Sequence, residues 1–427
     1  MEKRTGLFTN AVIWFGVAVS VSEIEAGIEI GAEAAPGSLW LPLVLGHIVG
    51  GIFLFFVGLI GARIRVNAME TTASVYGTYG SKFFASLNLF QLVAWIAVLN
   101  AQGASVLAGL DLPISFPLTC VLLAVLIALW VFVGLRRFAK VTTVVMAVLA
   151  VLLAALTVKL FVTGSISAGA SSSGANSAAA HVLGFWNIFE ISLALPLSWL
   201  PVISDYTKDV EKPVRATAVS AIAYSIASFW MYFIGLEIAS AGVGNDIAKA
   251  ILLAGLGIPG IVIVVLSTVT TNFLAANSAG ESAKAIVRRL NPKITGVVVS
   301  AISALLAISG IMDHYISFLY LIASVFAPMA AVLLVSFYFG KAGAVYTGAV
   351  HTGKETARED AAREDAAREE TARASGKAFW IWNLFAWLAG FVVYQVAVRL
   401  DSVPLGPTLL AVIVSAALAY ARVLVKR

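Results

Sequence analysis

The chain has 427 residues, of which 60% are apolar and only 12% charged, with a net charge of +5 and a mean hydropathy of +0.95. This balance excludes a soluble globular domain and points to repeated membrane spans of about 20 apolar residues each. A single cysteine, Cys120, excludes a disulfide framework and a cysteine-based metal centre.

Twelve spans are predicted, over 10–32, 39–62, 83–108, 113–135, 141–163, 183–204, 214–241, 259–287, 294–312, 314–339, 378–398 and 405–423. With the N-terminus in the cytoplasm, all but Lys159, Lys249 and Arg399 of the 28 Lys and Arg residues fall on the inner side, as the positive-inside rule requires. Both termini are therefore expected to be cytoplasmic, in a cell (inner or plasma) membrane. The basic balance needs no nucleic-acid partner, only the lipid bilayer. Lys3 and Arg4 before an apolar run resemble a signal peptide, but Glu23, Glu25 and Glu29 interrupt that run, so no cleavage is expected.

The first span runs apolar through Trp14-Phe15-Gly16-Val17-Ala18-Val19 and then meets Ser20, Ser22 and Glu23. A helix broken at bilayer depth survives only where it lines a cavity or a bound solute. Glu23 has two readings, a group that binds substrate or a proton, or a structural hydrogen bond to a neighbouring helix. Glu25, Glu29 and Glu33, four apart, read as the face of a hydrated vestibule. In the second span, Gly46-His47-xx-Gly50-Gly51 and Gly58-xx-Gly61 allow close helix packing. His47 is either hydrogen-bonded between helices or a proton relay.

Gln91 and Trp95 of the third span share one helix face. An amide one turn from an indole suits a flat nitrogen heterocycle that stacks and is read at its edge. The sixth span carries Pro196-Leu197-Ser198-Trp199-Leu200-Pro201, a second break, five spans after the first. A matched pair of broken helices is the best sequence-level pointer to a transporter's binding site. The eighth span crowds Ser267, Thr268, Thr270, Thr271 and Asn272 together. Their oxygens suit a hard cation such as Na⁺, unless the hydroxyls bond back to their own helix.

These breaks divide the chain into a first five-helix repeat over 1–163, an extracytoplasmic linker over 164–182 and a second, inverted repeat over 183–340. A charged cytoplasmic loop over 341–377 follows, then spans eleven and twelve with the C-terminus over 378–427. Within the loop, Ala-Arg-Glu-Asp-Ala recurs across 357–373, a pattern of helix formers with mixed charge that reads as a solvated linker. The sequence holds neither a His-Glu-x-x-His motif nor a Gly-rich Lys loop for ATP, so no enzyme activity is expected. A conducting channel does not call for two broken helices around one site.

Trp14-Phe15-Gly16 through Glu23, Gly46-His47-xx-Gly50-Gly51, Gln91-Leu92-Val93-Ala94-Trp95, Pro196 to Pro201 with Asp205-Tyr206-Thr207, and Ser267 to Thr271 occur in this order. Across spans one to ten the set resembles the nucleobase–cation symport-1 family. It is similar above all to the CytX branch, associated with hydroxymethylpyrimidine, the thiamine precursor. The resemblance implies an all-α polytopic membrane protein of LeuT-type fold, a 5+5 inverted repeat plus two helices. It also implies import driven by Na⁺ or H⁺ as coupling ion, with no other cofactor. By position, it assigns the substrate amide and stacking ring to Gln91 and Trp95, the broken sixth helix to Pro196, Leu197, Ser198 and Trp199, and the eighth-helix amide to Asn272 or Asn277. Ser22 and Glu23 complete that set. Sodium coordination falls to the stretch Ala18–Ser22, through the carbonyls of Ala18 and Val21, with Ser267, Thr270 and Thr271. The first-span glutamates and the charged repeat are departures from the family pattern. The expected cargo is a small, largely neutral heterocycle, hydroxymethylpyrimidine or a related pyrimidine, with cytosine, a purine or allantoin as the alternative. No motif specifies an oligomeric state.

Overall fold

The computed structural model describes residues 4–34, 37–110, 113–133, 139–162, 183–240, 246–340, 379–400 and 403–425. The linker expected over 164–182 and the charged loop over 341–377 lie outside the described residues. Every regular element among those described is helical, with two isolated β-bridges, Thr5 to Val210 and Ala34 to Leu183.

The first span is two helices, Leu7–Ala18 and Val21–Glu33, bent by 54°. Val19 leaves helical geometry, and Ser20 is extended (φ −141°, ψ 158°) with its hydroxyl accepting from the Glu23 amide at 3.3 Å. A serine that caps a new helix satisfies an amide the break would otherwise strand. The second span is Trp40–Ile64. The third runs over Ala73–Ala108, beginning well before the expected residue 83, with a non-helical break at Gly77 (φ 73°, ψ 174°). Only glycine adopts that geometry readily, and a Cβ there would stand 2.7 Å from the Trp380 ring of the eleventh span.

The fourth and fifth spans are Phe116–Val133 and Ala139–Val162. The sixth breaks after Phe185–Ser198 and resumes as Ile203–Thr207. Pro213–Ser240, Gly257–Ile286, Pro292–Ile308 and Tyr315–Tyr338 are the seventh to tenth. Phe379–Ala397 and Gly406–Val425 follow. Nine of these helices are long and apolar enough to cross a bilayer, and the bent first pair makes ten. The two expected spans outside that count are the broken sixth and the 17-residue ninth.

The first span packs on the seventh, the second on the sixth, the third on the eighth and the fourth on the ninth. Exchanging the two sets of five maps this pattern onto itself. Close approach makes it possible. A Cβ at Gly50 would stand 2.5 Å from Pro196 Cβ, and one at Gly61 2.3 Å from Ser204 Cβ, so the second span lies directly on the sixth. A Cβ at Gly27 would stand 2.2 Å from the Tyr232 carbonyl oxygen, and one at Gly235 2.1 Å from that of Ile24. In lipid, such small-residue contacts supply packing that hydrophobicity cannot.

Gly235→Val should therefore destabilise the protein by about 3 kcal/mol, the upper end for overpacking, because backbone lies on the far side of the contact. Gly257→Ala, where a Cβ meets nothing within 4 Å, is the control. Melting temperatures in detergent check this, and a Gly235→Val protein as stable as the control would refute the contact.

Candidate substrate and cation site

A narrow cavity of about 20 Å³ lies where the two breaks meet. Its wall includes Ser20, Ser22, Glu23, Trp95, Ser198 and Trp199, with Val17, Leu92, Leu99, Leu195, Thr271 and Ala275. Five of the expected substrate residues, Ser22, Glu23, Trp95, Ser198 and Trp199, are thus brought to one place. Trp95 is 7% exposed, held by T-shaped contacts with Tyr315 and Phe318, and its indole N–H has no partner among the described residues.

Glu23 is 2% exposed. Tyr224 donates to its Oε1 at 2.7 Å, and Ser228 Oγ lies 2.7 Å from its Oε2. Behind Ser228 stands His47, whose Nε2 is 3.0 Å from Ser228 Oγ and whose Nδ1 is 2.9 Å from the Leu43 carbonyl oxygen. A buried carboxyl needs such partners, and His47 makes the interhelical bond that was one of its two readings. Tyr224 and Ser228 were missed by sequence reasoning. Their spacing with Ser220 and Tyr232, every fourth residue along the seventh span, was the available signal.

The other expected substrate residues stand off the cavity wall. Gln91 Nε2 donates to Asn88 Oδ1 at 2.7 Å, one turn deeper in its own helix. Asn272 is fully buried with neither amide atom partnered among the described residues. Its helix face is that of Thr268 and Ala276, which abut Gly103 of the third span and Gly296 of the ninth. Asn277 Nδ2 donates to the Tyr206 hydroxyl at 3.4 Å. Pro196 packs on Gly50, and Leu197 is in the core.

Of the expected cation ligands, Thr271 alone reaches the first span through its side chain. Its Oγ1 lies 3.3 Å from the Gly16 carbonyl oxygen, 3.5 Å from that of Val17 and 3.2 Å from that of Val19. These carbonyls, rather than those of Ala18 and Val21, are the ones Thr271 meets, because they face the eighth span where the helix stops. Ser267 Oγ donates to Val264 O at 3.1 Å and Thr270 Oγ1 to Leu266 O at 2.7 Å. Both hydroxyls are turned onto their own helix. One hydroxyl hydrogen cannot serve three carbonyls, so oxygen lone pairs remain at the break.

A second cavity of about 460 Å³ lies beyond, lined by Glu25, Glu29, Glu33 and Glu190 together with Tyr232, Tyr315, Tyr320 and Tyr394. The three first-span glutamates do face a vestibule. Leu195 borders both cavities. At the far end of the sixth span the protein is closed. Tyr206 donates to Leu274 O at 2.6 Å, Lys208 pairs with Glu281 at 2.9 Å, and Arg65 Nη1 donates to Val210 O at 2.8 Å.

Residues 1–357 match the model of a family described as permeases for cytosine/purines, uracil, thiamine and allantoin. The chain belongs to that family, the nucleobase–cation symport-1 permeases. It is a multi-pass membrane permease and not an enzyme. The cytosine permease of Escherichia coli (strain K12) is 22% identical over 341 residues, which cover 78% of each chain. Mhp1, a nucleobase–cation symport-1 family transporter in a closed conformation with bromovinylhydantoin bound, superposes with a TM-score of 0.72 at 19% identity. That match covers 99% of this chain and 94% of Mhp1. A Na⁺-coupled sialic acid symporter in a substrate-bound outward-open state gives 0.68 at 12% identity, covering 99% and 90%. The fold is LeuT-type, ten core spans in two inverted repeats with two more appended.

Ser228→Ala would remove the partner that Glu23 Oε2 and His47 Nε2 share in this buried cluster. The expected cost is about 1–3 kcal/mol, read as a lower melting temperature in detergent. Wild-type melting would mean that the cluster contributes nothing to holding spans one, two and seven together.

Proposed function

We propose that the permease imports a small, largely neutral nitrogen heterocycle with a coupling cation, by alternating access across the cell membrane. Hydroxymethylpyrimidine or a related pyrimidine, as in the CytX branch, is the favoured cargo. The observation that carries this reading is the cavity at the junction of the two helix breaks, with a carboxyl group, serine hydroxyls and two indoles on its wall. A flat ring can stack on the Trp95 indole, whose N–H is unspent. Ser22, Glu23 and Ser198 meet the polar edge of the ring.

The Thr271 hydroxyl and the first-span carbonyls of Gly16, Val17 and Val19 take the cation. An all-oxygen, non-titrating set favours Na⁺ over H⁺. The acidic vestibule is the external mouth, and the layer of Tyr206, Lys208 and Glu281 closes the cytoplasmic side, where both termini lie. The repeats run over 1–163 and 183–340, joined on the outside by 164–182. A second reading, a cytosine, purine or allantoin symporter, is favoured by the curated relatives, which are cytosine permeases.

Binding scans of purified protein against pyrimidines, purines, allantoin and thiamine fragments, with and without Na⁺, separate these readings. Trp95→Ala should weaken binding by roughly tenfold or more, since ring–aromatic stacking is worth about 1–3 kcal/mol. Unchanged affinity in a folded Trp95→Ala protein rejects the stacking role. Thr271→Ala should abolish the dependence of binding on Na⁺, and a wild-type Na⁺ response would put the ion elsewhere.

A further inference from the structure

Gln102 lies on the third span, outside the lining of both cavities, and is 2% exposed. Ser22, on the cavity wall, donates its hydroxyl hydrogen to Gln102 Oε1 at 2.5 Å. Gln102 Nε2 donates to Glu25 Oε2, on the vestibule wall, at 2.5 Å. Two residues on one helix, facing different cavities, are therefore joined through one amide from another helix.

The direction of these bonds follows from the groups. A carboxyl oxygen of Glu25 takes the NH₂ end of the amide, which leaves the carbonyl end for Ser22. Serine has one hydrogen. With it committed to Gln102, Ser22 offers only lone pairs to its other neighbours, the Tyr315 hydroxyl and the cavity. Ser198 is in the same position, its hydrogen given to Leu195 O at 2.7 Å. Glu23 adds two carboxyl oxygens. Facing these acceptors are the Trp95 indole N–H, which has no partner, and Ser20, whose Oγ accepts from the Glu23 amide.

We infer that Gln102 is a positioning residue that makes the cavity selective for heterocycles carrying an exocyclic amino group over their oxo counterparts. The inference rests on the reading of this cavity as the heterocycle site and names the chemical class that it takes. Amino and oxo rings are nearly the same size and shape, so apolar contacts discriminate between them poorly, whereas a site built around hydrogen bonds rejects the wrong partner strongly. An amino group donates to Ser22, Ser198 or Glu23, and a ring nitrogen accepts from Trp95 or Ser20. A carbonyl oxygen in the amino position meets lone pairs in a desolvated space. Removing the amide of Gln102 releases the Ser22 hydrogen, and Ser22 then serves either ligand.

The test is competitive binding to the purified full chain, using matched pairs: cytosine with uracil, 4-aminopyrimidine with 4-oxopyrimidine, adenine with hypoxanthine. The wild-type protein should prefer the amino member of each pair. Gln102→Met should shrink that preference by about tenfold, chiefly by improved binding of the oxo member. Should Gln102→Met not fold, Glu25→Ala on the open vestibule wall frees the same amide and should act in the same direction. In a Ser22→Ala background, Gln102→Met should produce no further change. Equal wild-type binding of amino and oxo members overturns the inference, as does a Gln102→Met protein that loses affinity for both alike. If the folded wild-type protein binds no heterocycle from any pair, the reading of the cavity itself falls, a result distinct from binding without discrimination.

Discussion

Hydrocarbon offers no hydrogen bonds, so every backbone group released by a broken helix must find a partner inside the protein. The two breaks meet this demand differently. The turn over 199–202 is satisfied by its own backbone at two amides, Val202 N–H to Trp199 O at 3.0 Å and Ile203 N–H to the same oxygen at 2.9 Å, while Asn88 Nδ2 of the third span donates to Pro201 O at 3.1 Å. The first break has Ser20 for an amide but relies on Thr271, from the other repeat, for its carbonyls. Three first-break carbonyls share the single Thr271 hydrogen, so their oxygens stay chemically available, whereas Trp199 O of the sixth-span turn accepts from two amides of its own segment.

Two kinds of contact hold the breaks in one layer. Glycines let the first and seventh spans, and the second and sixth, meet at backbone distance. Trp14, fully buried, makes T-shaped contacts with Trp199, Tyr206 and Tyr224 at about 6 Å. One indole therefore touches the sixth-span break, the closed end of that span and the tyrosine that holds Glu23. Aromatic edges fix angles as well as distances. The carboxyl in the cavity is in this way tied to the element that closes the far end.

Much of this layout was legible in the sequence, because periodicity and composition report on single helices. Ser20 and Glu23 in the middle of an apolar run marked the first break, and Pro196 with Pro201 the second. The four-residue spacing of Glu25, Glu29 and Glu33 marked the vestibule. What was hidden depends on contacts between distant segments or on side-chain rotation. Ser267, Thr270 and Thr271 look equivalent by spacing, yet two of the hydroxyls turn onto their own helix and one reaches across. Gln91 and Trp95 share a face, but Asn88 captures the amide. Gln102 carries no local sign that Ser22 and Glu25 will stand at its two ends. The early start of the third span was obscured because Gly77 can break a helix without ending it.

Leu195 borders both the cavity and the vestibule, so one side chain faces the two spaces. Inhibitor design follows from that shared border. On the proposed reading of the cavity, a heterocycle bearing an arm long enough to pass Leu195 would seat its ring in the cavity and its arm among the vestibule tyrosines. Such a compound would hold Leu195 aside and jam the cycle with the carrier loaded. A cationic end on the arm would also meet Glu29 and Glu33, so potency could be raised without altering the ring.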